Sequence, residues 1–184
     1  MRKFVLMLMG LCSVSLAQAH IVLDVQSAVA GSFYRGAFRV GHGCDGSPVT
    51  QVIVTIPEGV QGAKPMPKAG WNIDIQRKSM TPDTKQSHQM TEDVSQIRWT
   101  AKTPADALPN EYFDEFVVFA KLPDTPGKLY WKTSQICEQG QIDWDQIPTG
   151  DARIHLKNPA PVLEVIAKPA TDAQQGTDMK DMKM

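Results

Sequence analysis

The residue with the most chemistry to offer is His20, because of what precedes it. The chain opens Met1-Arg2-Lys3, runs through an apolar stretch from Phe4 to Leu16, and then reads Ala17-Gln18-Ala19. A basic start, an apolar run too short for a stable span and an Ala-x-Ala site describe a secretory signal peptide cut after Ala19. His20 then begins the mature protein. One residue would offer two nitrogen donors, the freed α-amine and the imidazole, which together can close a chelate ring on a metal ion. Nitrogen-rich tetragonal sites suit Cu(II). An α-amine with an ordinary pKa of about 7.7–8 gives up its proton at little cost near neutral pH. Against this, a histidine can simply follow a cleavage site, and position alone does not make it a ligand.

Further donors have to come from elsewhere in the chain. Tyr112-Phe113-Asp114-Glu115-Phe116 sets two carboxylates in an otherwise apolar strand. By alternation Glu115 shares a face with Phe113, Val117 and Phe119, and Asp114 shares the other with Tyr112, Phe116 and Val118. Both faces are apolar, so at least one carboxylate needs a metal, a basic neighbour or water at the strand end. Trp144, in Asp143-Trp144-Asp145, reads by itself as core packing. His42 lies in a glycine-rich turn, His42-Gly43-Cys44, and is expected to be exposed rather than coordinating. His88, in a polar segment, and His155 offer less. Met179, Met182 and Met184 at the end of the chain could present soft donors to Cu(I), or belong to a solubilising tail. No phosphate loop, nucleophile elbow or His-Glu-x-x-His is present, so no enzyme is signalled.

The elements that must position these residues are strands. Removing residues 1–19 leaves 165 residues, enough for one domain with a sizeable core. Without Arg2 and Lys3 the charge is 17 basic against 20 acidic residues, with no basic stripe for nucleic acid. No later segment is apolar enough for a transmembrane helix, and Met9-Gly10-Leu11-Cys12 is a poor lipoprotein box, so no membrane anchor is expected. Cys44 and Cys137 remain as an even pair in an exported chain, which makes a disulfide the expected reading over two thiolate ligands.

Strand-forming runs cover Ile21–Val25, Ser32–Val40, Val49–Ile56, Trp71–Arg77, Val94–Thr100, Tyr112–Leu122, Leu129–Ile136 and Ile142–Ile147. Ala152–Leu156 and Val162–Ile166 carry fainter signals. Pro65 and Pro67 exclude a central strand between Lys64 and Lys68. Residues 78–93 read as a loop, and residues 168–184 as a disordered, Met-containing tail. The sum is an all-β, antiparallel β-sandwich over residues 20–167.

With these residues assembled, the mature chain resembles the YcnI-like family of exported bacterial copper-binding domains. The likeness is carried by Ala19-His20-Ile21-Val22-Leu23, Ala30-Gly31-Ser32-Phe33-Tyr34, His42-Gly43-Cys44-Asp45-Gly46-Ser47-Pro48 and Ile56-Pro57-Glu58-Gly59-Val60. Lys64-Pro65-Met66-Pro67, Gly70-Trp71, Asp114-Glu115-Phe116 and the run from Cys137-Glu138-Gln139-Gly140 to Trp144 and Ile147-Pro148 extend it. The resemblance implies a cupredoxin- or immunoglobulin-like sandwich holding one Cu(II) per chain. It further implies a brace formed by the amine and ring of a single histidine, supplemented by an acidic residue and a nearby tryptophan. Carried over, His20 takes the brace, Trp144 the tryptophan, and Glu115 the carboxylate, with Asp114 as the neighbour that could take its place. Cys44–Cys137 looks like a staple of this branch. The implied role is a periplasmic metallochaperone or copper buffer that exchanges copper with another periplasmic or membrane protein. Two other classes stay open: a copper-dependent oxidase, which would need a second histidine from His42, His88 or His155, and a metal-free interaction module.

Overall fold

The computed structural model describes residues 20–79, 91–149 and 156–169. Among them are the strands β1 (Val22–Leu23), β2 (Ser27–Val29), β3 (Phe33–Val40), β4 (Val49–Thr55), β5 (Gln61–Pro65) and β6 (Trp71–Ser79). β7 (Glu92–Ala101), β8 (Asp114–Lys121), β9 (Gly127–Tyr130), β10 (Thr133–Cys137), β11 (Gln141–Trp144) and β12 (Val162–Ile166) follow, with one 3-10 turn at Pro104–Asp106.

Alternation builds the first layer. In β3, Tyr34, Gly36, Phe38 and Val40 turn inward while Phe33, Arg35 and Arg39 face out. β8 pairs with β3 antiparallel along its whole length, from Phe33 opposite Lys121 to Val40 opposite Asp114. β1 and β5 close the two edges in the order β1-β3-β8-β5. Pro65 therefore ends an edge strand, where a missing N–H leaves no central ladder bond unmade. The second layer is five-stranded, β11-β10-β4-β7-β6. Phe116 of the first layer meets Trp71 and Trp99 of the second edge-on, at centroid distances of 5.0 and 5.6 Å. These contacts lie within one hydrophobic core drawn from both sheets.

A third, small sheet has the order β2-β12-β9 and departs from an all-antiparallel reading, because β12 runs parallel to β2. A parallel pair needs a long connection between its strands. Here nearly the whole domain separates them. The run Leu129–Ile136 is broken rather than continuous. Trp131 donates its backbone N–H to Pro161 O at the third sheet, and the next carbonyl, Lys132 O, accepts from Thr55 of the five-stranded sheet. The chain changes sheets at that point.

The expected loop at 78–93 is shorter than the sequence suggests. Lys78 pairs with Asp93 and Ser79 with Glu92, so the β6–β7 hairpin ladder takes up both ends. Residues 80–90, which include His88, lie outside the described residues, as do residues 150–155 with His155 and residues 170–184 with the three methionines. Most of the Ala152–Leu156 strand reading falls there too. Among the described residues no helix is long and apolar enough to cross a membrane.

Candidate metal centre

His20 stands two residues before β1, an edge strand of the four-stranded sheet. Trp144 ends β11, an edge strand of the five-stranded sheet. The two meet at the seam between the layers, with ring centroids 5.5 Å apart and planes inclined at 67°. His20 is half-buried and Trp144 is only 4% exposed. The Nε2 of His20 is buried without a hydrogen-bond partner. Only Nδ1 can join the α-nitrogen of the same residue in a chelate ring, which leaves the proton on Nε2, beside the indole. A shallow cleft of about 190 Å³ beside His20, lined also by Gln26, Pro159 and Val162, opens the site to solvent.

Trp144 is held by Gln135 of β10, a buried amide with 1% of its surface exposed. The indole Nε1 donates to Gln135 Oε1 at 3.2 Å, and Gln135 Nε2 donates to the carbonyl oxygen of His42. A buried amide with both ends bonded fixes its neighbours, because leaving either bond unmade costs about 1–3 kcal/mol. Through it the His42 turn is drawn in against β10.

The disulfide draws the same turn inward. Cys44 and Cys137 are bridged, with Cα atoms 5.9 Å apart across a sequence separation of 93 residues. Cys44 N–H also donates to Cys137 Sγ at 2.9 Å. His42 is consequently half-buried, and its ring lies 6.4 Å from Trp144 at 70°. This corrects the expectation of an exposed turn histidine. Gln135 is the residue that sequence reasoning passed over, and His42 is the one it expected to be exposed. The signal for His42 was the bridge itself, which ties its neighbour Cys44 to the strand paired with Trp144's strand.

The carboxylates lie elsewhere. Glu115 pairs with Arg39 in the ladder on the outer face of β8, and its carboxylate lies 3.7 Å from the Arg35 guanidinium. Asp114 sits at the strand entrance and bonds Lys68 Nζ at 2.5 Å. Lys68 also donates to Glu115 O at 3.2 Å and lies 4.8 Å above the Phe116 ring. The basic partner required of a carboxylate in this apolar strand is thus Lys68. Neither carboxylate bonds His20, and among the described residues no group of three or more His, Cys, Asp or Glu side chains converges. Of the expected ligand set the structure brings together His20 and Trp144, while Glu115 lies two strands from β1 in the same sheet with Arg35 as its ion-pair partner.

Comparison with known proteins agrees with this architecture. A solved protein from Nocardia farcinica, uncharacterized and with an immunoglobulin-like fold, superposes with a TM-score of 0.64 at 23% identity, covering 79% of this chain and 97% of its own. A candidate membrane-anchored protein from Corynebacterium diphtheriae aligns at a TM-score of 0.42 and 11% identity, over 82% of this chain and 34% of its own. No curated protein gives a significant match. The first likeness establishes an immunoglobulin-like sandwich. The family model of DUF1775, a domain of unknown function, matches residues 20–165, and the chain therefore belongs to that family, the one that contains the YcnI-like proteins.

Proposed function

We propose that the protein is exported, is cut before His20, and binds one Cu(II) through the freed α-amine and the ring Nδ1 of His20, beside Trp144. The observation that carries this reading is the pairing of His20 with Trp144 at the sheet seam, their rings 5.5 Å apart. Copper here is cargo: the protein carries or buffers the ion in the periplasm and exchanges it with another copper-handling protein. The disulfide supports an oxidising compartment. Glu115, the carboxylate expected from the family resemblance, could join the site only by leaving Arg35. No catalytic cycle belongs to carriage, so peroxide formed from oxygen and ascorbate above the level of free copper would overturn that role in favour of the copper-dependent oxidase.

The test is a Cu(II) titration of two forms, one starting at His20 and one retaining a single residue before it. The reading expects one copper per chain, nitrogen coupling in the electron paramagnetic resonance spectrum and quenched indole emission for the first form. The second form should bind much more weakly, because its amine donor has become an amide. Equal affinity of the two forms would overturn the brace.

A further inference from the structure

The segment His42-Gly43-Cys44-Asp45-Gly46-Ser47 is almost wholly explained by its own folding. A Cβ on Gly43 would collide with the backbone carbonyl of Ser47, so only glycine fits there. Cys44 is bridged, and its N–H and C=O exchange hydrogen bonds with Ser47 at 3.2 and 2.9 Å. Asp45 and Gly46 both take positive φ, 48° and 87°, as a two-residue type I′ hairpin turn requires. Ser47 Oγ accepts from the N–H of Gln139 at 2.9 Å. The backbone carbonyl of His42 serves Gln135, a duty any residue could perform. The hairpin's own hydrogen bonds give the imidazole of His42 no purpose beyond the contact of its Nδ1 with Gly43 O.

Its surroundings suggest one. The ring faces Trp144, the same indole that packs against His20. Its Nδ1 contacts the carbonyl oxygen of Gly43. A carbonyl can only accept, so Nδ1 is the donor to it, which leaves Nε2 as the nitrogen able to face a metal. Metal-bound histidines are commonly fixed in this way, one ring nitrogen on a backbone carbonyl and the other on the metal. Among the described residues no hydrogen bond engages that Nε2. β1 and β3 pair antiparallel at Val22–Arg39 and Leu23–Phe38, so His20 precedes the ladder at the end where β3 runs out toward His42. Asp114 and Glu115 pair with Lys68 and Arg35, and the group that shares Trp144 with His20 is a second imidazole.

We propose that His42 Nε2 is a further ligand of the copper bound at His20, making a site with two imidazoles and one amine, and that the Cys44–Cys137 bridge and Gln135 are its positioning elements. This inference rests on the copper reading above and deepens it. The experiment is pulsed electron paramagnetic resonance on Cu(II) bound to the protein starting at His20, counting imidazoles by their remote-nitrogen couplings. Wild type is compared with His42→Ala and His42→Gln, with circular dichroism melts as a check on folding. The expected result is two imidazoles in wild type and one in each variant, with affinity lower by at least about tenfold. One copper carrying a single imidazole in wild type overturns the role of His42 and leaves His20 standing. Two imidazoles in both wild type and variants also overturn it. No stoichiometric binding by wild type overturns both readings. If a variant fails to fold, the wild-type count alone decides.

Discussion

Two aromatic clusters lie in the same sandwich and treat their polar atoms in opposite ways. Around Phe116, Trp71 and Trp99 pack edge-on, Lys68 lies over the ring, and Asp114 pairs with that lysine. Even the Trp99 indole finds the carbonyl of Met66, at 3.4 Å. Around Trp144 the indole is satisfied by Gln135, yet His20 keeps a buried nitrogen without a partner and His42 presents an unengaged one. Buried polar atoms left unpaired cost free energy, so native proteins keep few, and those that persist invite an explanation. Trp131 Nε1 is also unpartnered, but an indole nitrogen has no lone pair to give a metal. The first cluster pairs its polar atoms within the fold, and the second leaves a buried ring nitrogen of His20 unpaired.

Substitution at the first cluster should break folding and spare chemistry. Phe116 is fully buried between the layers, so Phe116→Ala leaves a cavity and should cost about 3–5 kcal/mol in urea unfolding. Copper stoichiometry, measured on the fraction that remains folded, should be unchanged. Loss of copper binding in a folded Phe116→Ala protein would mean that the two clusters are not separable.

The disulfide reaches both sides of the comparison. Cys44→Ser with Cys137→Ser removes a cross-link closing a loop of about 90 residues and should cost about 2–4 kcal/mol, the typical contribution of a disulfide. The same change releases the turn that holds His42. Native-state hydrogen exchange at Gly43 and Cys44 should therefore rise in the double variant, while amides of β7 keep their protection relative to global stability. Uniform loss across all strands would assign the bridge a purely global role.

Much of the frame was legible. Alternation in Ser32–Val40, Val49–Ile56 and Trp71–Arg77 located β3, β4 and β6 within a few residues, because each strand has one face in the core. β5 was not, because Gln61-Gly62-Ala63-Lys64-Pro65 carries no apolar alternation and no β-branched residue. Its hold is non-local instead: Gly62 N–H donates to the buried carboxylate of Asp93, thirty-one residues away. The pairing of His20 with Trp144 came from the family resemblance, since neither alternation nor spacing links residues so distant. Glu115 came from the family resemblance too, and the residues alone left its direction open. Alternation gives its face but not whether that face turns to the seam or to Arg35. His42 was expected to be exposed because glycines around it signal exposure, and the pull of Cys44 and Gln135 against that signal acts through tertiary contacts.

Tyr34 supplies the smallest and most specific contrast, a buried polar group that is titratable and already satisfied. Its hydroxyl donates to Val25 O at 2.5 Å, and its ring packs against Trp131. Burial, aided by the negative charge of Asp24, pushes its pKa up to about 12 from 10.0. The folded state therefore keeps the phenol protonated where the unfolded chain has begun to release it. The stability from this shift is fully present below pH 10.0 and is lost as pH rises through about 12. At about 1.4 kcal/mol per unit the loss amounts to about 2–3 kcal/mol. Urea midpoints from about pH 9 to 12, compared between wild type and Tyr34→Phe, isolate it: the wild-type curve should fall more steeply over that range. Parallel curves would mean that Tyr34 titrates as freely in the fold as in the unfolded chain, and that its bond to Val25 constrains it no more than water would. Copper binding near neutral pH should be the same in both proteins, since the shift at Tyr34 belongs to packing and the open nitrogens at the seam do not.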